Sequence, residues 1–387
     1  MTKSRFIALA VLVGAVSTAA VAGASPSEAA SRAAKVLGHV YVNDNTTGVN
    51  TVAGFDRHAD GPLTPIPGSP FAAGGLGPGH PDASQGSLQL SADGRYLLAV
   101  DAGSNQLSVL RIKPDGSLQV ADVVSSNGGN PVSIAVAGRL VYVANADPGS
   151  PNYTGFVLDR GGRLTPIPGS TVSLPSGSQP GDVLFGAGGE KLVGTRVGTS
   201  LIDSFRVGAG GRLIAAPGSP FEHQSGVYGQ FGSAFSPLDP TQLFVSNAHN
   251  VANGPAPGSV SAYTDGPDGT LTPIGASPFA NDGVASCWVE ISHDGQYLFT
   301  VNTASATVSS YSVGADGTLT AVGSVPIKGG KGAEDARLAP DGSTLWVVDS
   351  GADTINGFVV SSGTLTELAV SPTAGPAGAT PSGIVVN

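Results

Sequence analysis

Cysteine is almost missing from this chain: Cys287 is the only one, so no intramolecular disulfide can form and the fold must hold by packing and hydrogen bonding. Charge is scarce as well, at 12% of residues, and long helix-forming runs are few. No G-x-S-x-G nucleophile elbow and no phosphate-cradling loop occurs. No clustered His/Cys metal signature occurs either. The Asp-Gly pairs lack the alternating acidic ligands and closing Glu of a calcium-binding loop. The Gly-rich run 329–332 lacks the helix that would let it bind phosphate, and reads as a loop. The sequence therefore implies no metal and no cofactor. The setting of Cys287, in Ser286-Cys287-Trp288-Val289, is the start of a strand, which points to a buried inert thiol.

What the chain does have is glycine (57), proline (29) and repetition. Residues 288–326, WVEISHDGQYLFTVNTASATVSSYSVGADGTLTAVGSVP, contain four short alternating runs separated by Gly, Asp and Asn turns. Period-two alternation bounded by such turns is the pattern of antiparallel strands. The last turn, Gly-x-Leu, recurs seven times, ending at Leu63, Leu118, Leu164, Leu213, Leu271, Leu319 and Leu365. The leucines are about 46 to 58 residues apart, the spacing of four-stranded propeller blades. The text after the leucine also repeats: LTPIPGSPF from Leu63, LTPIPGSTV from Leu164, LIAAPGSPF from Leu213 and LTPIGASPF from Leu271. One blade cannot bury its own faces, so the seven are expected to close into one ring-shaped domain. The predicted fold is all-β: a seven-bladed propeller of four-stranded antiparallel blades spanning residues 38–387.

The ends of the chain predict how the ring closes. His39-Val40-Tyr41-Val42 reads as a second strand with no first strand before it, and Ile384-Val385-Val386 reads as a first strand with no blade after it. Pairing them leaves no open edge. Ahead of the ring, Lys3 and Arg5 precede an apolar run and an Ala22-Gly23-Ala24 cleavage pattern. Residues 1–24 read as a secretory signal peptide, with Ser27-Glu28-Ala29 as a later cleavage option, and 25–37 as an extended lead-in. The apolar run is short and interrupted, which disfavours an uncleaved anchor. The expected location is secreted or extracytoplasmic. The formal charge of −10, more acidic still once Lys3 and Arg5 are removed, argues against nucleic acid or an anionic membrane as a partner.

Val141–Asn145 (VYVAN), Leu243–Asn247 (LFVSN) and Leu298–Asn302 (LFTVN), with turns such as SADGRY at 91–96, resemble the YVTN-type repeats of the seven-bladed propeller lactonases. That family includes propeller-type 6-phosphogluconolactonases and fungal carboxymuconate-lactonizing enzymes. The resemblance spans about residues 38–387. It implies a lactonase-like hydrolase that opens a small lactone at the mouth of the central channel; the mixed carboxylates and guanidinium groups suit a polar or anionic one, and a monomer is expected. Family enzymes tend to carry a Pro-x-His ahead of an inner strand. Here Gln85 stands where that His is sought, and His80 is a few residues earlier.

Opening a lactone needs an activated water and a cationic or N–H-rich site for the developing oxyanion. Glu334 or His223 is the expected base, and Arg196 and Arg337 the expected anion holders. Gln85, Glu290, His249 and Lys331 complete the candidate binding set. The bland alternative is an interblade ion pair for Glu334 and Arg337, a wet channel lining for Glu290 and solvated loops for the histidines. A second class of function, a propeller binding a protein, glycan or envelope component through its loops, is predicted instead if the channel is plugged.

Overall fold

Seven antiparallel sheets contain every named strand of the computed structural model, which describes residues 35–81, 84–222, 224, 226–249 and 257–387, with only the backbone of His249. Besides strands there are three short 3-10 turns, and no α-helix occurs among the described residues. Accordingly, none of these residues forms a helix long and apolar enough to cross a membrane. The predicted leader, residues 1–24, and the lead-in as far as 34 lie outside the described residues.

The innermost strands, taken from blade one to blade seven, are Ile384–Val386, Leu88–Leu90, Pro131–Ala137, Pro180–Phe185, Tyr228–Phe235, Ser286–Ile291 and Ala333–Leu338. Each packs against the next, and the last against the first. The ring closes as the sequence predicts: Val40, Tyr41 and Val42 pair antiparallel with Val386, Val385 and Ile384. His39 and Asn387 exchange backbone hydrogen bonds at the end of that ladder. The first strand, Val36–Asn43, begins two residues ahead of the predicted boundary, because Val36 still pairs with His58 across a bulge.

The inner part of a blade is buried on both faces, so its second strand reads as apolar on both sides, while outer strands such as Leu319–Pro326 stay largely exposed. All six residues of Tyr96–Asp101 are buried. The hydrophobic clusters straddle blades: Tyr96, Leu98 and Val109 of blade two pack with Val141, Val143 and Phe156 of blade three. Trp346 and Val348 of blade seven pack with Val40 and Phe55 of blade one. No blade owns its core, which is why seven repeats make one domain.

The repeated text has a local cause. In five blades the fourth strand is broken in two, and both pieces pair with the same third strand. In blade one these are Leu63–Pro65 and Phe71–Gly77, both on Gly48–His58. The Ile-Pro-Gly-Ser segment bulges out between them. Its serine replaces the missing strand partner by accepting a third-strand N–H. Gly54 donates to Ser69 Oγ at 2.8 Å, Gly155 to Ser170 at 3.0 Å and Ser204 to Ser219 at 3.0 Å. Ala262 donates to Ser277 at 2.8 Å and Gly357 to Ser371 at 3.2 Å. The Gly-x-Leu glycine is equally constrained. Gly162 has φ +90°, and a Cβ there would overlap the Tyr96 ring of the preceding blade. A left-handed backbone against a neighbouring aromatic leaves only glycine.

Candidate active site in the central channel

Residues 84–87, between the outer strand of blade one and the inner strand of blade two, run across the channel and bond to the other six blades. The Gln85 N–H donates to Gly181 O at 2.9 Å, and Ile134 N–H donates to Gly86 O at 2.9 Å. Ser84 Oγ donates to Val132 O at 2.7 Å and Ser87 Oγ to Ser382 O at 2.8 Å. Gly86 N–H reaches Asp335 Oδ2 at 3.3 Å. The Gln85 amide bridges two further blades, donating to Ser233 O at 2.8 Å and accepting from Val289 N–H at 3.0 Å. Gly232 makes room for it, since a Cβ there would collide with Gln85 Oε1. Trp288 Nε1 donates to Ser84 O at 2.8 Å, and its ring packs on Phe231 at 5.0 Å between centroids.

This crosspiece separates two cavities. One, about 330 Å³, opens at the end of the inner strands and is lined by Gln85, Gln89, Asp182, Ser233, Glu290 and Arg337, among others. The other, about 270 Å³, lies at the beginning of those strands, where His80, Gln179, Val197 and Phe231 line it, and is largely apolar.

The first cavity holds the charges. Arg337 Nη1 donates to Glu290 Oε2 at 3.2 Å, and its Nη2 lies 3.7 Å from Asp335 Oδ2. Glu290 also accepts the Leu338 N–H at 3.1 Å. Asp182 accepts from both the N–H and the hydroxyl of Ser233, at 2.9 and 2.5 Å, and from Ser133 Oγ at 3.3 Å. Burial pushes the Asp182 carboxyl up to about 7, against the pull of the Ser233 bonds. Burial likewise raises Glu290 and Asp335 above the usual carboxylate range, opposed chiefly by Arg337. A carboxyl raised toward neutrality and a fixed guanidinium lining the same cavity are the two groups that general base catalysis with oxyanion stabilisation requires.

The predicted residues therefore do not form one cluster. Arg337, Glu290 and Gln85 meet in this cavity. Glu334 does not: its Oε1 accepts from Ser350 Oγ at 2.8 Å, and its charge adds to the burial that pushes the neighbouring Cys287 thiol up to about 12. The thiol is buried, as its strand-start position implied. Arg196 is not brought to Arg337 either. It is 6% exposed and held bidentately by Asp203, Nε to Oδ2 at 2.6 Å and Nη2 to Oδ1 at 2.5 Å. Tyr153 caps the same carboxylate at 3.0 Å. A guanidinium so engaged is a strut between strands rather than an anion holder. Lys331 is exposed, and its backbone N–H is tied to Asp349. His80, the alternative to the expected histidine, lines the opposite cavity. His223 and the His249 side chain lie outside the described residues.

Sequence reading missed Asp182, Gln89 and Ser233. A signal existed for the first: Asp182 is the one charged residue of its inner strand, Pro180–Phe185, as Glu290 is of Ser286–Ile291. Among the described residues no three His, Cys, Asp or Glu side chains converge as metal ligands.

The sequence pattern described as "Lactonase, 7-bladed beta-propeller" matches residues 46–179 and 234–381. The fold is similar to that of a candidate 6-phosphogluconolactonase from Bacteroides uniformis, with TM-score 0.73 and 20% identity over 90% of this chain and 98% of the other. A candidate 6-phosphogluconolactonase from Bacteroides fragilis gives TM-score 0.72 and 21% identity, over 92% and 99%. A periplasmic gluconolactonase from Pseudomonas aeruginosa gives TM-score 0.71 and 19% identity, over 90% and 98%. At such identities the likeness concerns the fold alone. No curated protein matches the sequence.

Proposed function

We propose that this chain, which belongs to the seven-bladed β-propeller lactonase family, hydrolyses a small lactone in the cavity formed by Asp182, Gln89, Glu290 and Arg337. The observation that carries this reading is the convergence of Asp182 and Arg337, residues distant in sequence, on one cavity of about 330 Å³. Ionised Asp182 takes a proton from water as the water oxygen attacks the lactone carbonyl. Arg337, held in place by Glu290, faces the oxygen that becomes negative. The ring C–O bond then breaks, and protonated Asp182 returns its proton to the leaving alkoxide. Three carboxylates against one guanidinium leave no surplus positive charge for a phosphate. The substrate class the cavity favours is a neutral polyhydroxy lactone, whose hydroxyls the carboxylates and the Gln89 amide can bind.

Proton release from a lactone panel, neutral and phosphorylated, tests this. Turnover should favour the neutral members and rise as pH increases through about 7, because Asp182 acts in its ionised form. Asp182→Asn should cost at least about 100-fold in kcat while the protein stays folded. Glu334→Gln, at a carboxylate held by Ser350 outside this cavity, should change turnover little. Full activity in a folded Asp182→Asn variant would sink the assignment.

The crosspiece itself favours a second reading. A channel filled by residues 84–87, Trp288 and Phe231 suits a propeller that binds through its loops, and inactivity on every lactone would point there. Export is the natural setting for either role. It is supported by the composition of residues 1–24 and is checked by sequencing the mature N-terminus, expected at residue 25 or residue 30.

A further inference from the structure

On the face where the inner strands end, every blade turns back after its third strand, and all but blade one also after the first. In blades two to four these turns carry Arg95, Lys113, Arg139, Arg160, Arg163 and Arg212, all exposed. In blades five, six, seven and one they carry Asp239, Asp268, Asp294, Asp316, Asp341 and Asp60, and no Lys or Arg. One face of an acidic chain is therefore bipolar, with its cations gathered on an arc of three neighbouring blades.

Contacts between blades join the cationic turns into one surface. Arg95 Nη2 of blade two donates to Arg160 O of blade three at 2.5 Å, and the Tyr96 hydroxyl donates to the same oxygen at 3.2 Å. The Tyr142 hydroxyl of blade three donates to Gly211 O of blade four at 2.8 Å, and Arg212 Nε donates back to Pro168 O at 3.0 Å. Arg139 and Arg160 line one cleft of about 310 Å³ with Tyr96, Asp93 and Asp159. Both acids of the cleft are engaged. Asp93 pairs with Arg95 at 2.9 Å, and Asp159 Oδ1 accepts the N–H groups of Gly161 and Arg163 at 2.8 and 2.9 Å. Among the described residues the other five cations of the arc form no ion pair.

We infer that this arc binds a carboxylate-bearing polysaccharide. Each exposed ion pair is worth little by itself, so cations spread over three blades gain affinity only from a ligand that repeats its charge. Guanidinium groups match carboxylates in a planar, bidentate fashion. The Asp93 and Asp159 carboxylates in the cleft suit a ligand that offers hydroxyls as well as charge. A protein partner would need an apolar centre, and none of these turns exposes a large apolar side chain. A nucleic acid strand would look for an aromatic platform, yet Tyr96 is 1% exposed, with the Arg95 and Arg111 guanidinium groups 5.4 and 5.1 Å from its ring centre. The assignment is independent of the chemistry in the channel.

The test is retention of the full chain on immobilised polygalacturonate, with neutral dextran and a duplex DNA oligomer as parallel matrices. Wild type should bind polygalacturonate and not dextran. Binding should fall at least about 10-fold as NaCl rises from about 50 to about 500 mM, because exposed charges are screened. The double variant Arg160→Glu/Arg163→Glu should bind at least about 10-fold more weakly with Tm unchanged, since both side chains are exposed. No retention of wild type on polygalacturonate at about 50 mM NaCl would overturn the inference, and so would undiminished binding by the folded double variant. Equal retention on the DNA would overturn the choice of a polysaccharide, leaving a surface that reads charge alone.

Discussion

Arg337→Met is expected to destabilise the protein by about 3–5 kcal/mol and to abolish lactone turnover. Its guanidinium is the charge that Asp335, Glu290 and Asp182 act on together. Removing it leaves buried carboxylates without their counter-charge. The loss therefore reflects stranded charge more than a lost bond. A urea melt distinguishes the two. Adding Glu290→Gln to Arg337→Met should regain part of the stability by removing a stranded charge, without regaining activity. A single Arg337→Met variant as stable as wild type would show that the guanidinium is not what balances these acids. In the proposed mechanism the ion pair that fixes Arg337 also fixes the direction in which its charge points, so stability and turnover should fall together.

Deleting residues 382–387 should prevent the domain from folding stably at all. The deletion removes Ile384, Val385 and Val386, which are 0%, 4% and 6% exposed. At roughly 1.5–3 kcal/mol for each buried side chain, the lost burial is comparable with the whole stability of an ordinary domain. It also removes the inner strand of blade one, exposing the edge of Val36–Asn43. Blade cores are shared between neighbours, so the defect should spread around the ring as one cooperative transition rather than stay in blade one. Thermal melting of the truncated chain checks this. A normal Tm would mean that closure by Ile384–Val386 is dispensable, whereas a separate early transition confined to blade one would mean that the blades are less coupled than their shared cores imply.

Legibility differed sharply between the ring and its contents. Gly-x-Leu turns and alternating strands are local patterns, each written within one repeat, and the two ends carry complementary parts of one more repeat, so the blade count and the closure could be read directly. The IPGSP text was visible as repetition, but its meaning was not. That the fourth strand breaks and a serine caps the gap depends on a third strand 15 residues earlier.

The candidate site was only half legible. Arg337 and Glu290 stand out as charged residues within inner strands and Gln85 as a polar residue just ahead of one, and they do meet. Glu334 and Arg337 are near in sequence, yet a bulge between Ala333 and Ala336 and the crosspiece at 84–87 put them in different surroundings. Arg196 looked free because its partner Asp203 is on the next strand, and register alone brings the two together. Repetition and alternation determined the architecture without help, because they fix which backbone pairs with which. Tertiary structure decided which charges neutralise one another and whether the channel is open, because both depend on side chains brought together from blades far apart in the chain.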